Sequence, residues 1–284
     1  MQLGAMVAGL HLNAVETRAQ PAELELIPLS DGIYMLEGGG GNVGVCAGED
    51  GILLVDGKTA AQADGVRRAL ARFGAHTPQY ILNTHFHPDH TGGNQELQQK
   101  TGCQILGPRN ERDRIPGIES ELGEGSSFEF GDHAVEVFDV PGHTAGHVAF
   151  WMPDDGVAFV GDTLFALGCG RLFEGTAEQM WDSLGKLTAL PGDTVVYCAH
   201  EYTQANARFA LSVEPDNQAL VQRSAEIDRL RANGQPTVPS TLGVERATNP
   251  FLRPDSPDLQ RTIGLEGADI VEVFAKTRAL KDTF

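Results

Sequence analysis

The segment Thr84-His85-Phe86-His87-Pro88-Asp89-His90 brings three imidazoles and one carboxylate into six consecutive residues. Imidazole nitrogen and carboxylate oxygen are the donors that zinc and similar divalent ions take, so the chemistry implied is metal binding. A surface cluster of histidines is the alternative, but such crowding is unfavourable unless something holds it. The segment follows the apolar run Tyr80–Leu82. If that run is a strand ending in a loop, His85 and His87 point to one side, as alternate residues do, and Asp89 and His90 follow in the turn. Companions stand in equivalent places. Gly142-His143-Thr144-Ala145-Gly146-His147 and Gly161-Asp162-Thr163 each follow an apolar run, and His200 closes the run Thr194–Ala199. Candidates just beyond the C-terminal ends of expected strands are where sheet folds gather site residues. His85, His87, His90, His143, His200, Asp89 and Asp162 are enough for two metals sharing a bridging carboxylate. His11, His76 and His133 lie in polar surroundings and are expected to be solvated.

The elements that must position these groups are legible as short patterns. Strand-like runs cover Leu24–Ile27, Gly32–Leu36, Val43–Ala47, Ile52–Val55, Tyr80–Asn83, Ala134–Val140, His147–Met152, Val157–Val160 and Thr194–Tyr197. Helical patterns cover Ala60–Phe73, Asn94–Thr101 and Ala177–Leu190. Hairpins mixed with crossover helices predict an α/β fold of sheets covered by helices. After His200 the texture becomes helical, with Thr203–Val213, Asn217–Ala232 and Ala268–Leu280 as helices and turn signals over Gly234–Pro239. The expected division is an extension over 1–23, a catalytic domain over 24–200 and a smaller helical domain over 201–284.

Composition narrows the partners. With 284 residues, 41% of them hydrophobic, the chain can bury a sizeable core. Its net charge of −18, from 21 basic and 39 acidic residues, repels phosphate backbones and anionic bilayers. Nucleic acid and membrane are therefore poor partners. The same field repels small anions, so an anionic substrate needs a local basic cluster. Cys46, Cys103, Cys169 and Cys198 form no CxxC pair and suit reduced thiols in a reducing, cytoplasmic compartment. No apolar run is long enough to span a bilayer. The first residues, MQLGAMVAGL, lack the basic start of a secretory signal and read as a disordered extension or a damaged signal remnant. Deleting Met1–Gln20 is expected to leave melting temperature and activity nearly unchanged. A large loss of either would mean that the segment packs on the core or the site.

The pattern HxHxDH, then GHTAGH, then GDT, then a late His resembles the metallo-β-lactamase superfamily. That resemblance implies an αββα sandwich with the site on one edge. It puts His85, His87 and His143 on a first metal and Asp89, His90 and His200 on a second. Asp162 and a water or hydroxide would bridge the two, and His147 is near the site without being a ligand. Later segments narrow the match. Gly161-Asp162-Thr163-Leu164-Phe165, Gly168-Cys169-Gly170-Arg171-Leu172-Phe173-Glu174-Gly175-Thr176, Cys198-Ala199-His200-Glu201-Tyr202-Thr203, Thr248-Asn249-Pro250-Phe251-Leu252-Arg253 and Arg278-Ala279-Leu280-Lys281-Asp282 resemble bacterial glyoxalase II.

The family resemblance covers Leu24 to the C-terminus. It implies hydrolysis of S-(2-hydroxyacyl)glutathione thioesters, such as S-D-lactoylglutathione, by hydroxide bound to two metals: zinc first, with iron or manganese as alternatives. It implies a monomer and assigns glutathione contacts to Arg171, Phe173, Tyr202, Arg278 and Lys281. Arg278 and Lys281 are three apart on an expected helix and share a face, which suits a carboxylate. Asp89 and Asp162 are the catalytic carboxylates, as ligands first and in proton handling second. Cys169 reads as a loop thiol. Two departures mark the first half: Phe86 stands where the family usually has a further His, and Gly38–Gly41 is an unusual glycine run. Phe173 replaces a Tyr seen in some members. The alternatives are a lactonase or β-lactamase of the same fold, or a persulfide dioxygenase with one iron.

Overall fold

The structure is a computed structural model that describes residues 24–74 and 77–284. The extension over 1–23, with His11, and the residue His76 lie outside the described residues. Two sheets face each other. The first has the order β1 (Glu25–Ser30), β2 (Ile33–Glu37), β3 (Val43–Gly48), β4 (Gly51–Val55), β5 (Pro78–Leu82), β6 (Gln104–Pro108) and β7 (Ser120–Leu122). Pairing is antiparallel from β1 to β4 and parallel from β4 to β7. The first two parallel steps cross over through α1 (Ala63–Leu70), then the short α2 (Pro88–Thr91) and α3 (Asn94–Thr101), and the third through the 3-10 turn Arg109–Arg114. The second sheet uses β8 (Ser127–Phe130), β9 (His133–Asp139), β10 (Val148–Met152), β11 (Val157–Gly161), β14 (Val195–Cys198) and β15 (Ser240–Thr241). Between β11 and β14 lie the small hairpin β12 (Leu164–Phe165) and β13 (Gly168–Cys169), then α4 (Ala177–Thr188).

Strand alternation builds the layers. In β4, Leu53 and Val55 face the second sheet and pack with Val137, Val148, Phe150 and Phe159. Their neighbours Ile52 and Leu54 face outward and pack with Val66 and Leu70 of α1 and Leu97 of α3. Ala158 and Val160 of β11 face the other way, against Met180, Leu184 and Leu187 of α4. The result is the αββα sandwich that the family resemblance implies. A β4 buried on both faces is all apolar, as a doubly covered strand requires. The sheets interlock at Gly44, where a Cβ would lie 2.3 Å from Phe159 Cε1. Gly44→Ala is therefore expected to cost about 1–3 kcal/mol in urea denaturation; an unchanged midpoint would show that the contact yields freely.

The C-terminal part comprises α5 (Thr203–Val213), α6 (Gln218–Ala232), α7 (Leu242–Thr248), α8 (Pro257–Ile263) and α9 (Ile270–Asp282). It is joined to the sandwich by the pairing of Ser240 and Thr241 with Val196 and Val195. Phe209 of α5 and Phe274 of α9 pack in the same core as α4.

Several elements differ from the sequence reading. The single helix expected over Ala60–Phe73 is α1 flanked by two 3-10 turns. The strands β6, β7, β8, β12, β13 and β15 and the helices α7 and α8 are unforeseen, being short, polar or interrupted by Gly and Pro. The last helix begins at Ile270 rather than Ala268 because the Asp269 side chain accepts from Val271 N–H and caps it. His133 is half-buried and pairs with Asp155 at 2.8 Å rather than standing free in solvent. All four cysteines are buried and free. No helix among the described residues is long and apolar enough to cross a membrane.

Candidate metal centre

β5 ends at Leu82, and the next residues carry the first donors. Pro88 opens α2, a position where its missing N–H costs nothing, and the turn presents Asp89 and His90. His143 follows β9, Asp162 follows β11, and His200 follows β14. The seven side chains form three convergent groups: His85, His87 and His143; His85, His90 and Asp162; Asp89, His90 and His200. His87 Nδ1 lies 3.0 Å from His85 Nε2 and 3.1 Å from His143 Nε2. Asp162 stands between the groups. Its Oδ2 is 3.4 Å from His143 Nε2, and its Oδ1 is 3.4 Å from His200 Nε2 and 3.6 Å from His90 Nε2. Asp89 Oδ2 is 3.4 Å from His200 Nε2.

This arrangement fits metal ions. His90 Nε2 and Asp162 Oδ1 are buried and have no hydrogen-bond partner among the described residues. His87 Nδ1, with one proton or one lone pair, cannot satisfy both the His85 and the His143 nitrogens that approach it. The far side of each ring is occupied in a way that sends a lone pair inward. His90 Nδ1 donates to Asp56 Oδ2 at 2.7 Å, and His143 Nδ1 donates to the Arg171 carbonyl at 2.9 Å. Burial lowers the pKa of His85, His87 and His143, which favours the neutral, ligating form. Burial opposes charge on Asp162, but the facing His200, His90 and His143 win and hold it below the usual carboxylate range. Burial likewise opposes charge on His200, yet the facing carboxylates of Asp162 and Asp89, each 3.4 Å from its Nε2, push its pKa up to about 9. Two carboxylates aimed at one point demand positive charge there.

Two residues support the ligands: Asp56, which no motif singles out, and His147, which the family resemblance implies near the site as a non-ligand. Asp56 takes the His90 ring and also accepts from Thr84 N–H at 2.8 Å. It follows the run Ile52–Val55, so the rule that located the histidines, a polar residue just past a strand end, also points to it. His147 accepts from Asp162 N–H at 3.1 Å and stacks on His85 with centroids 4.6 Å apart. It supports ligands without facing the centre.

The groups form the floor of a cavity of ≈ 610 Å³, through His87, Asp89, His143, Asp162 and His200. Arg171, Phe173, Tyr202, Arg278 and Lys281 form its walls. Phe173 is 61% exposed and hangs over the floor, its ring centroid 5.2 Å from that of His143. Tyr202 stacks on His200 at 4.9 Å. Arg278 is only 5% exposed. Its Nη1 donates to the Cys169 carbonyl at 2.7 Å, and its Nη2 lies 3.1 Å from Asp282 Oδ1. Lys281 Nζ donates to the Ala205 carbonyl at 3.2 Å. Asp282, also unmarked by the sequence reading, sits 3.6 Å from Arg171 and so balances two of the three cations.

Residues 36–200 match the family model of the metallo-beta-lactamase superfamily, and residues 201–284 match that of the hydroxyacylglutathione hydrolase C-terminus. The hydroxyacylglutathione hydrolase of Methylococcus capsulatus is 58% identical over 205 residues, 72% of this chain and 80% of that one. The Brucella ovis hydroxyacylglutathione hydrolase is 48% identical over 248 residues, 84% of this chain and 96% of that one. Among solved structures, TTHA1623 in a di-iron-bound form aligns with a TM-score of 0.53 and 26% identity, covering 75% of this chain and 95% of that one. The chain belongs to the hydroxyacylglutathione hydrolase (glyoxalase II) family of the metallo-β-lactamase superfamily.

Proposed function

We propose that this protein hydrolyses S-(2-hydroxyacyl)glutathione thioesters, S-D-lactoylglutathione among them, to glutathione and a 2-hydroxy acid. The observation that carries the reading is one cavity with a His/Asp floor and a cationic wall from the C-terminal part. A lactonase or β-lactamase has no use for that wall. A one-iron dioxygenase needs no second group such as Asp89, His90 and His200.

In this reading His85, His87 and His143 would hold one metal and Asp89, His90 and His200 a second, with the Asp162 carboxylate available to both. When bound, the pair supplies Lewis-acid chemistry, lowering the pKa of water toward neutrality and polarising a carbonyl. Zinc suits the donors, and the di-iron form of TTHA1623 makes iron a second candidate. The protein's own residues place the thioester. Arg171, Arg278 and Lys281 attract the glutathione carboxylates against a net charge of −18. Phe173 and Tyr202 flank the floor, over His143 and His200. The leaving thiolate is stable near neutral pH, so no dedicated general acid is needed. Asp89 and Asp162 act as ligands before any part in proton handling. Residues 24–200 thus carry the chemistry and, through Arg171 and Phe173, part of the recognition, to which 201–284 add Tyr202, Arg278 and Lys281. Four free cysteines fit a reducing, cytoplasmic setting.

The test is turnover of S-D-lactoylglutathione by purified protein, with elemental analysis of the same sample. Hydrolysis with two metals per chain is expected. Metal-loaded protein that ignores this thioester but opens lactones would overturn the substrate assignment.

A further inference from the structure

Glu111 belongs to none of the motifs that mark the site. It lies on the 3-10 turn Arg109–Arg114 after β6 and is 1% exposed. Its two carboxylate oxygens accept from two different loops. Oε2 accepts the backbone N–H of Phe86 at 2.7 Å, between His85 and His87. Oε1 accepts the backbone N–H of Gly146 at 3.0 Å, between His143 and His147. Gly146 permits the approach, since a Cβ there would lie 2.6 Å from Glu111 Cγ. Arg114, on the same turn, repeats the link further out. Its guanidinium lies 3.2 Å above the Phe86 ring and forks onto Glu174, whose Oε2 accepts Ala145 N–H at 2.9 Å.

We propose that Glu111 is a positioning residue of the metal centre: its carboxylate ties the loop of His85 and His87 to the loop of His143, and so sets the spacing of the imidazoles that take the first metal. The inference rests on the ligand assignment proposed above. No single element carries all three imidazoles, because His85 and His87 follow a strand of the first sheet and His143 follows one of the second. Apolar packing between the sheets is non-directional and does not fix a spacing to a fraction of an ångström. Charge-assisted hydrogen bonds do. The tie is made at the residue between the two histidines, so any slack there moves both. A glutamine keeps the shape and one acceptor but turns an NH₂ group toward the second N–H, so one of the two ties is lost.

The experiment compares wild type, Glu111→Gln and Glu245→Gln as full-length, metal-depleted proteins. Glu245 is the control: it is also 1% exposed and accepts Leu167 N–H at 2.9 Å, but it bonds neither histidine loop. Zn²⁺ affinity is measured by chelator competition, and ligand geometry by the absorption bands of the Co²⁺-loaded proteins. Glu111→Gln is expected to bind the first Zn²⁺ about 10–100-fold more weakly, with shifted cobalt bands. Glu245→Gln should lower the melting temperature while keeping both readouts. If Glu111→Gln does not fold, Glu111→Asp serves in its place, because it keeps both oxygens one methylene short and should weaken Zn²⁺ in the same direction. Wild-type affinity and an unchanged cobalt spectrum in the Glu111 variant overturn the inference and leave the ligand assignment standing. Wild-type protein that binds no Zn²⁺, or His87→Ala that binds it undiminished, overturns the assignment and the inference together.

Discussion

Asp162→Ala is expected to abolish thioester hydrolysis while leaving the protein folded. The carboxylate lies within 3.6 Å of His90, His143 and His200 together. Without it the cavity floor holds imidazoles and Asp89, and no group links the two halves. The fold should survive because the backbone at this point is held separately, by Asp162 N–H donating to His147. Activation of water and polarisation of the carbonyl contribute several kcal/mol, and each 1.36 kcal/mol is tenfold in rate, so kcat/KM should fall by about 10³-fold or more. His87→Ala should do the same, because His87 Nδ1 is the atom that both His85 and His143 approach. Elemental analysis of wild type should find two metals per chain, and each variant should find fewer. A wild-type preparation with one tightly bound metal and full thioesterase activity would remove the binuclear reading.

Arg278→Ala should raise KM for S-D-lactoylglutathione about 10- to 100-fold, on the basis that a hydrogen bond to a charged group contributes roughly 1.5–3 kcal/mol. The contact is far from the scissile bond, so it should persist equally in ground and transition states and spare kcat. The structure adds a second expectation. Arg278 is buried, holds the Cys169 carbonyl and lies 5.0 Å from the Phe251 ring centroid, so its loss should also lower the melting temperature. Lys281→Ala separates the two effects. Burial and then the neighbouring Arg278 and Arg171 lower the Lys281 pKa, which describes cations crowded around a place for an anion. Lys281 is more exposed than Arg278, so its substitution should raise KM with little change in melting point. Steady-state kinetics on both thioesters with and without the glutathione moiety would check this: the penalty should shrink when glutathione is absent. An unchanged KM in the double variant would detach the C-terminal helix from substrate binding.

The histidines were legible because metal ligands obey local spacing. His85 and His87 alternate along one strand exit, and Asp162 and His200 each follow an apolar run that reads as a strand. Sheets covered by helices were legible from hairpins mixed with crossover helices, and the structure gives the reason in Ile52–Val55, whose neighbouring side chains feed two different cores. Glu111 was not legible, since its role depends on two loops 25 and 35 residues distant that only the fold brings together. Arg278 was read as a cation on a helix face, and its burial follows from packing of α9 against the β13 hairpin loop, which helical periodicity does not encode. The small strands β12, β13 and β15 are two residues each, too short for any alternation to register.

Cys169 stands in the wall of the cavity proposed to receive a thioester, which is an acyl donor to any thiolate it meets. Burial pushes its pKa up to about 11, against the pull of Arg278 toward ionisation. At pH 7 a thiol with that pKa is ionised in roughly one molecule in ten thousand. Cys169 therefore competes poorly with water for the acyl group. Cys46 and Cys198, both buried and pushed up to about 12, are quieter still. A protein that releases glutathione at its own surface thus keeps its thiols out of exchange with the product, and its turnover should be indifferent to alkylating reagents.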